Sequence, residues 1–298
     1  VSAKLEYLPA AESFLDPVRA DAGEPASARA VVIPFGLEAS VSYGAGTAAG
    51  PAAILAASHQ LELYDEELGC EPYLRYGVAA LREPAIARPI AAALDQLKEI
   101  VETVVDAGKF PFVLGGEHSL TAAPVAALAA RHGDLVVVQL DAHADLRDSY
   151  QGEHFSHAAA MRRVLDLPGV SLVSIGIRSI SREEADFYEA NRDRITIHWA
   201  KDQAHWSLDD IAAPLQGRRI YLTFDIDALD SALMPATGTP TPGGLGYWRA
   251  LALLRRICAA GEVVGADLVE LAPIPGLHAC NYTAAAVGYK LLSYALLR

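Results

Sequence analysis

The chain has 298 residues, 52% of them AVILMFWYC, and its 24 Lys+Arg against 37 Asp+Glu give a formal net charge of −13. That length suits one α/β domain spanning 1–298 with a sizeable core, and the acidic balance argues against a nucleic-acid partner, because phosphate binding calls for a basic surface. No uncharged run is long enough to span a bilayer, the N-terminal VSAKLEYLPAAESFLD carries charges where a signal sequence has an apolar core, and Cys70, Cys258 and Cys280 lack zinc-type spacing, so the expectation is a cytoplasmic enzyme with reduced thiols and no membrane partner.

Short β-rich runs alternate with longer helical patterns. In chain order, strands are expected at 30–35, 110–116, 135–143, 171–177, 194–200, 219–227 and 262–271, most of them continuously apolar, as strands covered on both faces are. Helices are expected at 51–68, 88–108, 119–133, 247–261 and 283–298, with Gly108, Gly133 and Gly261 as stop signals after three of them. The alternation predicts an α/β fold with a largely parallel central sheet sandwiched between helices. The loops at 143–157 and 230–246 are longer than connectors need to be, which marks them for function.

Ligands of such sheets bind beyond the carboxyl ends of the strands. Three expected strands end in acids and histidines: FVLGGEHS delivers Glu117 and His118, VVQLDAHAD delivers Asp141, His143 and Asp145, and YLTFDIDALD delivers Asp225, Asp227 and Asp230. In extended backbone, side chains two apart point the same way, so each set is expected to face one side. Carboxylates crowded together repel and are costly to bury without partners. Six ligands (His118, Asp141, His143, Asp145, Asp225 and Asp227) suit two divalent cations held about 3.5–4 Å apart. Oxygen-rich ligation with some imidazole points to manganese, with cobalt, iron, nickel or zinc as substitutes.

The ordered set GGEHS, DAHADLRD, SHAAAMRR, FDIDALD, ATGTPTPGGL and DLVELAP resembles the ureohydrolases, the arginase/agmatinase family, and VSYGAGTAAGPAAILAASHQLELYDEE is similar to its agmatinase branch. The resemblance runs from about residue 30 to the C-terminus and implies a three-layer α/β/α sandwich of the arginase/deacetylase kind with two Mn2+ per chain. It places one ion on His118, Asp141, Asp145 and Asp225 and the other on Asp141, His143, Asp225 and Asp227, with Asp141 and Asp225 bridging. It makes Glu270 the carboxylate that grips the substrate guanidinium, His157 the proton shuttle in preference to the nearby His154, and Thr239 a hydroxyl beside the substrate. Asp230 and Glu117 are expected to support the ligands. The implied reaction is hydrolysis of a small cationic guanidino compound to urea and an amine, by a homo-oligomer of three or six copies.

After the D-x-H-x-D run, arginine-cleaving relatives carry neutral donors for a carboxylate, whereas this loop, LRDSYQGEHFSHA, has Asp148 and Glu153. An ammonium tail on these two acids is expected, which favours agmatine as substrate and putrescine as product. Two positions and one stretch depart from the common agmatinase pattern (Thr241 in TPTPGG, Ser231 after DIDALD, and APIPGLHACNYTAA) and are expected to touch the tail pocket more than the metals. They keep guanidinobutyrase and arginase activities as alternatives. A single-metal zinc deacetylase of the same fold and a catalytically inactive binding subunit are the rivals from other classes.

Overall fold

The computed structural model describes residues 5–19 and 24–297. Eight strands, β1 (Ala30–Phe35), β2 (Val78–Ala80), β3 (Phe110–Gly115), β4 (Leu135–Leu140), β5 (Val170–Ile177), β6 (Ile195–Trp199), β7 (Arg219–Asp225) and β8 (Glu262–Val269), form one sheet in the order β2-β1-β3-β8-β7-β4-β5-β6. Every pairing is parallel. The helices are α1 (Gly50–Ser58), α2 (Tyr73–Tyr76), α3 (Ile90–Asp106), α4 (Ala122–His132), α5 (Ala160–Leu165), α6 (Arg182–Ala190), α7 (Leu208–Ala212), α8 (Tyr247–Ala260) and α9 (His278–Leu296).

Alternate strand residues feed two opposite layers, as the pleat dictates. Val32, Phe112, Val138 and Leu222 pack with Ile54 of α1, Leu251 of α8 and Leu291 of α9. Val31, Ile33 and Val113 pack instead with Leu94 and Leu97 of α3, and Val137 and Tyr221 with Leu128 of α4 and Met161 of α5. The result is a three-layer α/β/α sandwich. No helix among the described residues is long and apolar enough to cross a membrane.

All seven expected strands are present. β2 lies outside the expectation because three residues are too few to show a period. The helix expected over 51–68 stops at Ser58. Further along, the Asp65 carboxylate accepts from the amides of Glu67 and Leu68, closing a local turn in place of helical bonds. Its second oxygen lies 3.0 Å from Lys290 of α9.

Two of the three stop glycines are left-handed, Gly108 at φ +70° and Gly133 at φ +78°. Gly261 has φ −128°, so it does not end α8 by handedness. A side chain there would lie 2.5 Å from Ile220 Cδ1 and 2.7 Å from the carbonyl oxygens of Leu215 and Arg218. Close approach between α8 and the start of β7 is what requires glycine. Gly261→Ala should therefore cost about 3 kcal/mol by overpacking, and Gly108→Ala, with open space around it, about 1 kcal/mol from handedness alone. Urea denaturation of both variants checks this, and the reverse order would contradict it.

Candidate metal centre and active site

Four neighbouring strands, β3, β8, β7 and β4, bring their carboxyl ends side by side. His118 follows β3, Glu270 follows β8, Asp225 ends β7 with Asp227 just beyond it, and Asp141, His143 and Asp145 follow β4. The six expected ligands do converge, but not by strand alternation. β4 ends at Leu140, and Asp145 sits in a loop at φ +53°. Asp227 lies in a 3-10 turn, its amide donating to Asp225 Oδ1 at 2.8 Å. Loop geometry, held by hydrogen bonds, aims these side chains.

Two overlapping clusters result, His118–Asp141–Asp145 and Asp141–His143–Asp227, with Asp141 in both. His118 Nδ1 lies 3.0 Å from Asp141 Oδ2, 3.0 Å from Asp145 Oδ2 and 3.4 Å from Asp225 Oδ2. His143 Nδ1 lies 3.0 Å from Asp227 Oδ2 and 3.6 Å from Asp141 Oδ1. His118, Asp141, Asp145, Asp225 and Asp227 are all buried.

The electrostatics test whether this donor set fits cations. His118 Nδ1 is buried, points between three carboxylate oxygens, and makes no well-formed hydrogen bond. Burial would lower its pKa, but the surrounding aspartates outweigh burial and hold it well above 6.5. His143 is likewise pushed up to about 12, burial being overcome by Asp227 and Asp141. Asp145 is raised to about 7 by burial and by the Asp141 charge, and Asp225 is raised well above the carboxylate range for the same kinds of reason. Asp141 goes the other way: burial is outweighed by the imidazoles of His118 and His143 beside it, and its pKa falls. Left to itself, the cluster must take up protons to relieve its own repulsion. A pair of divalent cations would take the place of those protons, so the residues fit such a pair.

Supporting contacts fix the ligands. His118 Nε2 is 2.9 Å from Thr223 Oγ1, and Thr223 pairs in register with the buried Asp267, which accepts from Thr121 and Tyr221 at 2.8 Å each. Gln139 donates to Asp141 Oδ2 at 2.8 Å, and Asp227 Oδ1 accepts from the Ala142 amide. Asp230 accepts from Ala232, Gly243 and Gly244, tying two loops together. Thr241 Oγ1 lies 3.4 Å from His143 Nε2, so this departure from the common agmatinase pattern touches a ligand, not the tail pocket. Asp267 was missed in the sequence although its signal was present: an acid inside a buried apolar strand.

A cavity of about 220 Å³ opens over the centre, and Glu117, His118, His157, Thr239 and Glu270 are among its lining residues. Glu270 has φ +67°, and its Oε1 accepts from the His118 amide at 2.6 Å. Burial raises its pKa to about 8, so it calls for a cationic partner. His157 Nδ1 is 3.1 Å from Ser40 Oγ, which donates to Glu117 Oε1 at 2.8 Å, and His157 Nε2 is 3.3 Å from Ser42 Oγ. Burial lowers the His157 pKa from 6.5. Its competitor His154 is turned onto Arg163, outside the cavity lining.

The two expected tail contacts do not line the cavity. Asp148 pairs with Arg163 at 3.2 Å, and Glu153, which closes the turn begun at Tyr150, accepts from the Phe155 amide just beyond it. The guanidinium groups of α5 draw Asp148 away. The cavity wall there holds Arg147, Tyr150 and Glu184 instead.

An α/β/α sandwich with overlapping carboxylate–histidine clusters at its strand ends belongs to the class of proteins able to hold divalent metal there, and comparison with known proteins specifies the class. The Arginase family model matches residues 28–296. The N(1)-aminopropylagmatine ureohydrolase of Synechocystis sp. is 38% identical over 280 residues, covering 90% of each chain. The agmatinase of Bacillus anthracis is 38% identical over 250 residues, 82% of this chain and 83% of its own. The crystal structure of the agmatine ureohydrolase of Thermoplasma volcanium superposes with a TM-score of 0.84 at 31% identity, over 95% of this chain and 94% of that one. The chain belongs to the arginase family. It is a ureohydrolase, an enzyme acting on guanidino groups.

Asp141 belongs to both clusters, whereas Asp145 belongs to one. Asp141→Asn should abolish Mn2+ uptake by the metal-stripped protein, and Asp145→Asn should leave part of it. Metal per chain after gel filtration checks this, and full uptake by Asp141→Asn would contradict the shared ligation.

Proposed function

We propose that the chain, acting as one catalytic unit, hydrolyses agmatine to urea and putrescine with two manganese ions. His118, Asp141, Asp145 and Asp225 would hold one ion and Asp141, His143, Asp225 and Asp227 the other. The observation that carries this is the pair of clusters sharing Asp141, with Glu270 and His157 on the wall of the same cavity. Bound divalent cations supply Lewis acidity and lower the pKa of water toward neutrality, which gives a nucleophile at pH 7.

The chain's own groups do the rest. Glu270 spends one oxygen on the His118 amide and keeps the other for an N–H of the guanidinium, a charge-assisted bond that orients the planar carbon over the clusters. Arrival of the substrate cation also holds Glu270 ionised despite its burial. His157, kept neutral near pH 7 by burial, takes up a proton and passes it to the departing amine, with Ser40 and Glu117 orienting the ring. Thr239 offers a hydroxyl at the wall of the cavity.

The ammonium-tail assignment rests on the agmatinase relatives, since Asp148 and Glu153 lie off the cavity. A second reading has its own support. The N(1)-aminopropylagmatine ureohydrolases of Synechocystis sp. and Thermus thermophilus are 38% and 39% identical to this chain, and the cavity wall includes Tyr43, which is 85% exposed and leaves room for a longer tail. A urea-release panel with Mn2+ and agmatine, N(1)-aminopropylagmatine, guanidinobutyrate and arginine tests both. Agmatine is expected to give the highest kcat/KM. Preference for the aminopropyl compound would select the second reading, and no urea from any of the four would overturn the proposal.

Two variants test the roles. Glu270→Gln should lower kcat/KM for agmatine by about 10–100-fold or more, the worth of a hydrogen bond to a charged group. His157→Asn should lower kcat by about 100-fold with little change in KM. Because burial moves the His157 pKa down, the acid limb of the wild-type kcat profile should fall below pH 6.5, and His157→Asn should remove it. An unaltered limb in that variant would assign the proton transfer elsewhere.

A further inference from the structure

Arg178 follows β5, and its side chain is half-buried. Among the described residues, its hydrogen bonds all run to backbone carbonyl oxygens and none to a carboxylate. Nη2 donates to Asp227 O at 2.7 Å, to Thr241 O at 2.8 Å and to Leu229 O at 3.4 Å. Nε donates to Pro242 O at 3.1 Å and Thr241 O at 3.3 Å, and Nη1 to Gly176 O at 3.1 Å. One planar fork thus binds the loop after β7 to the 241–242 turn and to the end of β5. Its five N–H groups point in fixed directions, which a lysine ammonium cannot reproduce.

The backbone of the same residue grips the loop after β4. The Arg178 and Ser179 amides donate to Ala142 O at 2.8 and 3.0 Å, and the Ala144 amide donates to Ser179 O at 3.2 Å. His143 is therefore held on both sides by this segment, while Asp227 is held through its carbonyl. These two residues are the members of the Asp141–His143–Asp227 cluster that the other cluster lacks. His118, by contrast, is fixed by Thr223 and by Glu270.

We propose that Arg178 is a positioning residue for one metal position only: it sets His143 and Asp227 against each other, and with them the site of the second ion. The inference rests on the two-ion reading of the centre. Partners behind metal ligands are typically worth about 10–100-fold in metal affinity. Here the loss should be selective, because the first cluster has its own supports.

Mn2+ titrated calorimetrically into metal-stripped full-length protein tests this. Wild type should take up two ions. Arg178→Ala should bind the first with near wild-type affinity and the second about 10–100-fold more weakly. Its electron paramagnetic resonance spectrum at one to two equivalents should show isolated Mn2+ where wild type shows a coupled pair. If Arg178→Ala fails to fold, Arg178→Lys, which keeps the charge and the buried stem, carries the same test.

Arg194→Ala serves as the control, since Arg194 also bonds a carbonyl, that of Leu165, at 2.8 Å but away from the centre. It should bind both ions normally whatever its thermal midpoint. Two ions bound by the Arg178 variants with unchanged affinities would overturn the inference, as would equal weakening of both. A wild type that takes up fewer than two ions would overturn the two-ion reading itself, and the inference with it.

Discussion

Four aspartates cannot remain ionised side by side in a buried site without positive charge between them. Everything distinctive about this molecule answers to that constraint. The parallel sheet sets four strand ends in a row, which lets residues as far apart in sequence as His118 and Asp227 share one small volume. Both imidazoles are driven toward protonation and two of the carboxyls toward neutrality. The same crowding that is costly to the bare protein becomes affinity once divalent cations replace the protons.

Rigidity in the surroundings keeps the acids from moving apart. Thr223, Gln139, the Ala142 amide and Asp230 each satisfy a ligand or tie down a ligand loop. Asp145 and Glu270 both occupy the left-handed region, a conformation that costs a non-glycine residue roughly 1–3 kcal/mol and persists only where neighbours over-determine it. Backbone strain and charge repulsion are therefore stored at one place, next to the residues that would meet the substrate.

Much of this was legible in the sequence, for physical reasons. Buried parallel strands must be apolar throughout, so their positions stood out, and a cluster of acids and histidines at the end of an apolar run has few structural explanations. The aim of those side chains was misread. Alternation along a strand explained the D-x-H-x-D set, yet the strand ends at Leu140 and Asp145 takes its place from a left-handed backbone of its own. Gly261 looked like a helix stop and is a point of close packing. Asp148 and Glu153 were near the site in sequence, but proximity along the chain says nothing of direction, and cations on α5 claim the first of them. Arg178 left no signal at all, and Thr241 stood out only as a departure from the agmatinase pattern with no hint that it touches His143, because contacts between loops depend on how the sheet is ordered.

The central claim is that the six ligand side chains hold two cations at once. Crystallography of Mn2+-loaded protein, with anomalous scattering at the manganese edge, tests it most directly. The account predicts two peaks per chain about 3.5–4 Å apart, with Asp141 reaching both. A single peak, or two peaks not joined by Asp141, would contradict it.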